Sequence, residues 1–401
     1  MAASSSLFLF LFFFFFQFVI NVNGAAKVVP SGPISKVEDA VYFQMYYGQS
    51  FKVIKNSIDG KSYLLMQNTS RMALKTKYCT GRIKSFVIPL SNYSVDTTTV
   101  PVSFFEMLGL VGYLKGLTSD IVTSECVLMS YANGGILLLN TTDTQQFTQL
   151  TAHFIGNVDE ERACNFAAFM PFEETTPLRR AEWIKYLGSF TNSESRANTV
   201  YDAIKGNYLC LSKVAANLTT RFKPVVAWID YNQGIWSFAK ETYKLQYVVD
   251  AGGENLDDSI SNNSYNNSIP DEIDNFRAIL CTVDVAIDQT YSEDPAEYTL
   301  STFLENIGVE GSYCFGFVTN QSLWRYDKRA GNFSSLDWFD GAVSQPQLVL
   351  ADLIEAFFPT GNYNTTYFRN LAKGEGVITV SPDMCQRNTS TPMEPTIVPC
   401  Q

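Results

Sequence analysis

Residues 172–211 read FEETTPLRRAEWIKYLGSFTNSESRANTVYDAIKGNYLCL. The stretch predicts two consecutive helices with a stop and a restart between them. The first opens at Pro177, whose fixed φ suits a first helical position, with Thr175 and Thr176 as candidate N-caps. Trp183, Ile184 and Leu187 give it an apolar stripe, and Gly188 is the expected stop. Thr191 and Glu194 have the spacing of a capping box for the second helix. Its apolar residues are Ala197, Val200, Tyr201, Ile204, Tyr208 and Leu211, which hold one face of a 3.6-residue period. A helix over 193–215 would span roughly 35 Å, the width of a small domain. Two readings fit it: a rigid strut joining two lobes, or an amphipathic helix inside one domain.

On both sides the pattern turns to short strands alternating with helices. Upstream, 41–43, 51–54 and 63–66 are strand-like, with Gly48 and Asp59-Gly60 as hairpin turns. Residues 83–89 read as the first strand of the core and end towards Ser91, Asn92 and Tyr93. A helix is expected over 104–110, then strands at 116–122, 135–139 and 166–170. Downstream, 225–229 is a buried-type strand ending in an aromatic loop, Asp230-Tyr-Asn-Gln-Gly-Ile-Trp236. Further strands are expected at 281–287 and 312–319, helices at 272–280, 298–307 and 346–358, and an exposed polar insertion at 255–275. The strand at 83–89 and the helix at 104–110 make a β-then-α unit.

The 401 residues suffice for two domains, and 46% hydrophobic against 17% charged residues is a core-forming composition. The formal net charge of −11 comes with no basic run, which argues against nucleic acid as a partner. One histidine, His153, limits the chemistry: a site with two imidazoles is excluded, and any Ser-His-Asp arrangement must use it. It sits in an alternating stretch that reads as strand. No paired-carboxylate motif stands out, so an extracellular hydrolase ranks last and a non-enzymatic protein is expected.

Residues 1–26 read as a signal peptide: an apolar core over 7–20, then Gly24, Ala25 and Ala26. At about 14 residues that core is shorter than a membrane span, which needs about 20. Ten sequons point to a secretory glycoprotein: Asn68, Asn92, Asn140, Asn217, Asn262, Asn266, Asn320, Asn332, Asn364 and Asn388. The eight cysteines are Cys79, Cys126, Cys164, Cys210, Cys281, Cys314, Cys385 and Cys400, with no CxxC pair. Disulfides are the expectation in an oxidising compartment. Their connectivity stays open, although Cys385 and Cys400 share a tail and could close a local loop.

Three segments carry a family resemblance. They are Pro177-Leu-Arg-Arg-Ala-Glu-Trp-Ile-Lys-Tyr-Leu-Gly188 with Glu194 and Ala197; 225–236 with Tyr247-Val-Val-Asp-Ala-Gly-Gly253; and Asp337-Trp-Phe-Asp340 with 346–354 and Phe358-Pro359. Together they resemble the periplasmic solute-binding proteins of class III, which bind vitamin B12, haem or ferric siderophores. The likeness runs in order over roughly residues 80–360. It implies two Rossmann-like α/β lobes joined by a long backbone helix, a ligand between them, little domain closure and mostly monomeric members. This chain would be a eukaryotic secreted member. The expected organisation is 1–26 signal peptide, 27–190 first lobe, 191–222 linking helix, 223–385 second lobe and 386–401 irregular tail.

The resemblance also places the cleft. Ser91, Tyr93 and Phe172 are its first-lobe candidates; Asp230, Tyr231, Asn232, Trp236, Tyr291, Trp324, Arg325 and Tyr326 are its second-lobe candidates. Aromatic faces supply area there, and Arg325 could meet an anionic group. A bound ferric chelate, cobalamin or haem is the implied cargo. Bacterial members dock on a membrane transporter through surface carboxylates, for which Glu173 and Glu174 are the candidates; a membrane receptor or transporter is thus the second implied partner. The leading function is a secreted, soluble protein holding a chelated metal or an organic small molecule. The alternative is a secreted interaction or signalling glycoprotein that keeps the fold without transport.

Overall fold

The computed structural model describes residues 32–400, apart from 76, 159–162, 220–221, 261, 263, 312 and 333–334. The expected signal peptide lies outside the described residues. The fold is α/β, with two lobes and a long helix between them.

The first lobe contains two sheets. Strands β1 (Phe43–Tyr47), β2 (Phe51–Asn56) and β3 (Lys61–Gln67) form an antiparallel meander, and β4 (Ile83–Ile88) adds parallel to β3. The core sheet is separate. Its strands are β5 (Tyr93–Val95), β6 (Leu114–Leu117), β7 (Leu137–Leu138), β8 (Ala152–Ile155) and β9 (Phe166–Ala168). All are parallel, in the order β7-β6-β5-β8-β9. The order reverses between β5 and β8, and α/β sheets bind ligands beyond the carboxyl ends of their strands at such a point. The expected first core strand, β4, therefore belongs to the meander, and Tyr93 starts the core sheet instead of ending a strand. Cys79 and Cys164 are disulfide-bonded across these two sheets.

The helix Trp183–Phe190 lies between them with every residue buried. Phe43, Tyr63, Phe86, Phe154 and Phe169 pack edge-on against its Trp183, Tyr186 or Phe190. Gly188 does not end this helix. A Cβ there would stand 2.9 Å from the Ala197 Cβ, so glycine permits the close crossing of the next helix. The turn is made by Asn192, in the left-handed region at φ 58°. The expected capping box does not form. The Thr191 hydroxyl donates to the Gly188 carbonyl, while Glu194 is buried against Lys52.

The long helix runs Glu194–Leu218. Ala197, Val200, Tyr201 and Ile204 pack into the first lobe's core, and Tyr208, Leu211 and Ala215 into the second's. One apolar stripe thus serves two cores, and the strut reading holds.

The second lobe has a seven-stranded sheet. Its strands are β10 (Val225–Asn232), β11 (Ile235–Phe238), β12 (Glu254–Asn255), β13 (Tyr265–Asn266), β14 (Val285–Asp288) and β15 (Leu323–Arg325), with β17 (Arg369–Asn370) at one edge. Strands β12, β10, β14 and β15 are parallel. The short β16 (Arg329–Ala330) pairs separately with β18 (Ile378–Thr379). The expected strand at 312–319 is instead the helix Gly316–Thr319, ahead of β15. Cys281–Cys314 closes a loop inside this lobe.

Residues 386–400 carry no helix or strand, as expected, yet they are tied down. Cys385 pairs with Cys126 and Cys400 with Cys210, so the two tail cysteines do not close a local loop. Between them, Met393 N–H donates to the Glu106 carbonyl, and Asn207 exchanges two bonds with Val398. The tail therefore crosses from the second lobe over the first lobe to the strut.

Candidate functional site

The lobes meet along a seam of buried polar contacts. The Ser103 N–H donates to Asp340 Oδ1 at 2.7 Å, and its hydroxyl donates to the Asp340 carbonyl at 3.0 Å. The Thr123 hydroxyl donates to Asp337 Oδ1 at 3.1 Å. Arg329 donates to both Asp337 and Glu125, each at 2.8 Å. The motif Asp337-Trp-Phe-Asp340 thus reaches across the cleft. Burial, and then the neighbouring Asp337, push the Asp340 carboxyl up to about 7.

Two cavities open along this seam, and Phe339, 52% exposed, touches both. The larger, about 350 Å³, lies beyond the carboxyl ends of β5 and β6. Thr97, Val102 and Ile121 line it from the first lobe, and Leu336 and Asp340 from the second. The smaller, about 150 Å³, is walled by Phe172, Pro177, Tyr243, Tyr247, Trp338 and Arg180, among others.

Arg180 gives that smaller cavity its character. It lies on the short helix Pro177–Ala181, which Pro177 starts; the Thr176 side chain makes no cap bond. Its Nε donates to the Glu174 carbonyl at 2.9 Å and its Nη2 to the Phe172 carbonyl at 2.8 Å. The guanidinium stands 3.5 Å from the Tyr243 ring centroid. Among the described residues no carboxylate forms an ion pair with it. Burial lowers its pKa, yet it stays cationic at any physiological pH. The cavity is thus an aromatic box with one cation, toward which Glu173 and Glu241 act only at a distance.

Of the residues singled out from sequence, Phe172 lines this cavity. Tyr93 is buried at the start of β5, where its hydroxyl donates to the Leu110 carbonyl, and exposed Ser91 precedes that strand. Both lie at the amino end of the sheet, because the core strand is β5 and not β4. The loop at Trp236 is a tight hairpin: β10 continues to Asn232, and Gln233 and Gly234 turn with positive φ. Trp236 is fully buried against Tyr231 and Phe276, away from the cleft, and Asn232 is exposed at the turn. Asp230 sits half-buried on β10, its pKa raised by burial and then by Asp288. Tyr291 is 75% exposed.

Trp324, Arg325 and Tyr326 are all buried. Arg325 pairs with Asp288 at 2.8 Å and Asp327 at 2.6 Å, and Arg369 completes the network on Asp327. Burial opposes the Arg325 charge, but the two aspartates more than offset it and raise its pKa. Its charge is consumed internally and is not available to a ligand. Tyr326 stacks on Trp338 at 4.8 Å and so backs the small cavity from behind.

Glu173 is exposed, but Glu174 is fully buried and accepts the N–H groups of Val41 and Tyr42. It ties the segment ahead of β1 to the turn before the helix Pro177–Ala181, and its carboxylate is not exposed to a partner. Of the sequon asparagines, Asn92 and Asn266 are half-buried and the other eight exposed. The residues missed from sequence are Arg180, Tyr243, Tyr247, Trp338 and Phe339. A signal existed: Arg180 and the Asp337–Asp340 run lay inside the segments that carried the resemblance.

His153 does not build a triad. Its Nδ1 meets the buried Ser94 hydroxyl at 2.7 Å, while Asp96 is held by threonine hydroxyls. Among the described residues no group of three or more His, Cys, Asp or Glu side chains is placed to hold a metal ion, and no helix is long and apolar enough to cross a membrane.

No family model matches the chain, and no curated protein does. Solved structures resemble it at low identity. A periplasmic haem-binding protein from Pseudomonas aeruginosa is 15% identical over 70% of this chain and 97% of its own, with a TM-score of 0.49. A periplasmic binding protein from Veillonella parvula is 13% identical over 67% and 92%, also at 0.49. An ABC-type Fe3+-hydroxamate transport protein from Saccharomonospora viridis is 10% identical over 67% and 94%, at 0.46.

Proposed function

We propose that this chain is a secreted, non-enzymatic glycoprotein that binds a small organic anion in the cavity between its lobes. We assign 27–190 and the tail to one lobe, 223–385 to the other and 191–222 to the strut. The observation that carries the reading is Arg180: a half-buried cation in an aromatic box, with no ion-paired carboxylate among the described residues. A half-buried guanidinium without an ion pair leaves room for a charge-assisted contact, which an incoming carboxylate would make while an aromatic ring filled the box. Size sets the class. A cavity of about 150 Å³ takes a benzene-sized ring, so a single-ring carboxylate fits. A tetrapyrrole or corrin would need the locked seam to part. That argues against haem or cobalamin and leaves a ferric chelate a weak second. Four disulfides and accessible sequons support passage through the secretory pathway.

The test is calorimetric titration of the secreted protein with benzoate, phenylacetate, haemin and a ferric hydroxamate. Binding of a ring carboxylate that is lost in Arg180→Ala supports the reading. Haemin or hydroxamate binding that survives Arg180→Ala would overturn it. A second reading is favoured by the seam and the strapped tail: an interaction glycoprotein with a closed cleft. No binding by any of the four would favour that one.

A further inference from the structure

The first lobe has a separate cavity, about 690 Å³, with no second-lobe residue among the described residues of its lining. It lies where the order of the core sheet reverses, against the carboxyl end of β5 and the flank of β8. Asp96 and Thr98 follow β5, Thr118 follows β6, and His153 lies on β8. The short helix Thr144–Thr148 forms the opposite wall. Only Thr98 is shared with the interlobe cavity.

Its lining has a definite chemistry. Among the described residues no lysine or arginine lines it, which disfavours an anion. Thr98 and Thr118 donate to Asp96 Oδ1 at 2.8 and 2.7 Å; Thr118 Oγ1 already accepts from the Thr97 N–H at 3.1 Å, while Thr98 Oγ1 remains an acceptor. The Thr141 and Thr144 hydroxyls and the Asn165 side-chain carbonyl take no bond within the described chain. Asn165 is nonetheless fixed, its amide donating to the Phe147 and Leu150 carbonyls at 2.8 and 3.0 Å. Phe147 and Phe166 clamp His153 from two sides, with centroids 4.6 and 4.7 Å away. The imidazole is 3% exposed and Nδ1 is engaged by Ser94, leaving Nε2 as a fixed polar atom. Burial holds its pKa near 4, so the imidazole is neutral at physiological pH; burial opposes the Asp96 charge, but hydrogen bonds from Thr99, Thr118 and Thr98 outweigh it and keep this one lining carboxylate ionised. A ring of hydroxyls, one carboxylate, an amide, a neutral imidazole and aromatic edges matches a polyhydroxylated molecule, and the volume falls within the range of about 300–1,000 Å³ typical of ligand pockets.

We propose that this cavity binds a neutral saccharide unit. Two sources share that chemistry. Thr141 is the middle residue of the Asn140 sequon, so the chain's own N-glycan begins at the rim. A free sugar, or one carried by another glycoprotein, would enter the same space.

The experiment titrates N,N′-diacetylchitobiose into the secreted glycoprotein, the enzymatically deglycosylated protein and the N140Q variant, by calorimetry and by hydrogen exchange over 144–155. Binding by N140Q and the deglycosylated protein, but not by the glycosylated wild type, supports the proposal and makes the Asn140 glycan the occupant. Equal binding by all three supports it with an external sugar. In either case T144V, an exposed change that keeps the sequon, weakens binding roughly fivefold or more, H153Q weakens it further, and R180A leaves it unchanged. No binding in any form, or binding indifferent to both T144V and H153Q, overturns it. The proposal does not depend on the interlobe reading, and R180A keeps the two apart.

Discussion

Glu182 is fully buried on the strut's approach, yet it is among the most heavily used side chains in the chain. It accepts the N–H groups of Glu38, Asp39 and Ala40, and the Lys185 ammonium at 2.9 Å. Removing it strands three backbone donors and a buried cation. Glu182→Ala should therefore cost about 3–5 kcal/mol, read as a lower urea midpoint with an unchanged slope. Asp340 works with the opposite sign. Its folded pKa, about 7, lies above the ordinary aspartate value of 3.8, so the folded protein keeps a proton that the unfolded chain releases. Stability from this group is full below about pH 4 and falls as pH rises to about 7. Asp340→Asn can still accept from Ser103, so its Tm advantage over wild type should grow across that window and then level off. A constant difference from pH 4 to 8 would refute this. His153 runs the other way: burial lowers its pKa from 6.5 to about 4, and its contribution is lost as pH falls through that interval. The two slopes oppose each other, so the single variants are needed to see either.

The long helix was legible because its apolar period persists across both cores. Its boundaries were less so. Thr191 and Glu194 have capping-box spacing, but Lys52, distant in sequence, claims the carboxylate. Gly188 looked like a stop and serves as a crossing point, which only the packed neighbour Ala197 reveals. Gly206 is different. It lies inside the helix with open space where a Cβ would go. Gly206→Ala should stabilise the protein by about 0.5–1 kcal/mol through lost unfolded-state entropy, seen as a small rise in Tm; a fall would mean that the helix needs flexibility there.

At the scale of the molecule the lobes are held three ways: by the strut, by the Asp337–Asp340 seam and by the tail. The Cys126–Cys385 bridge spans 259 residues. On a chain-entropy basis, cross-links over loops that long contribute about 5 kcal/mol. The Cys126→Ser, Cys385→Ser double variant should unfold at clearly lower denaturant and show faster amide exchange over 386–400. Unchanged exchange would mean that the hydrogen bonds to Glu106 and Asn207 suffice to hold the strap.

By itself the sequence determined the alternation of strands and helices, the strut's buried face and the even cysteine count. These follow from local periodicity and composition, which each segment carries alone. Only the tertiary structure decided which cysteines pair, that Trp236 and Arg325 serve the interior, and that Arg180 lines a cavity with no ion-paired carboxylate among the described residues. A side chain's role depends on the charges and surfaces that distant segments bring to it. Aromatic and cationic residues satisfy core and site alike, and their neighbours tell the two apart.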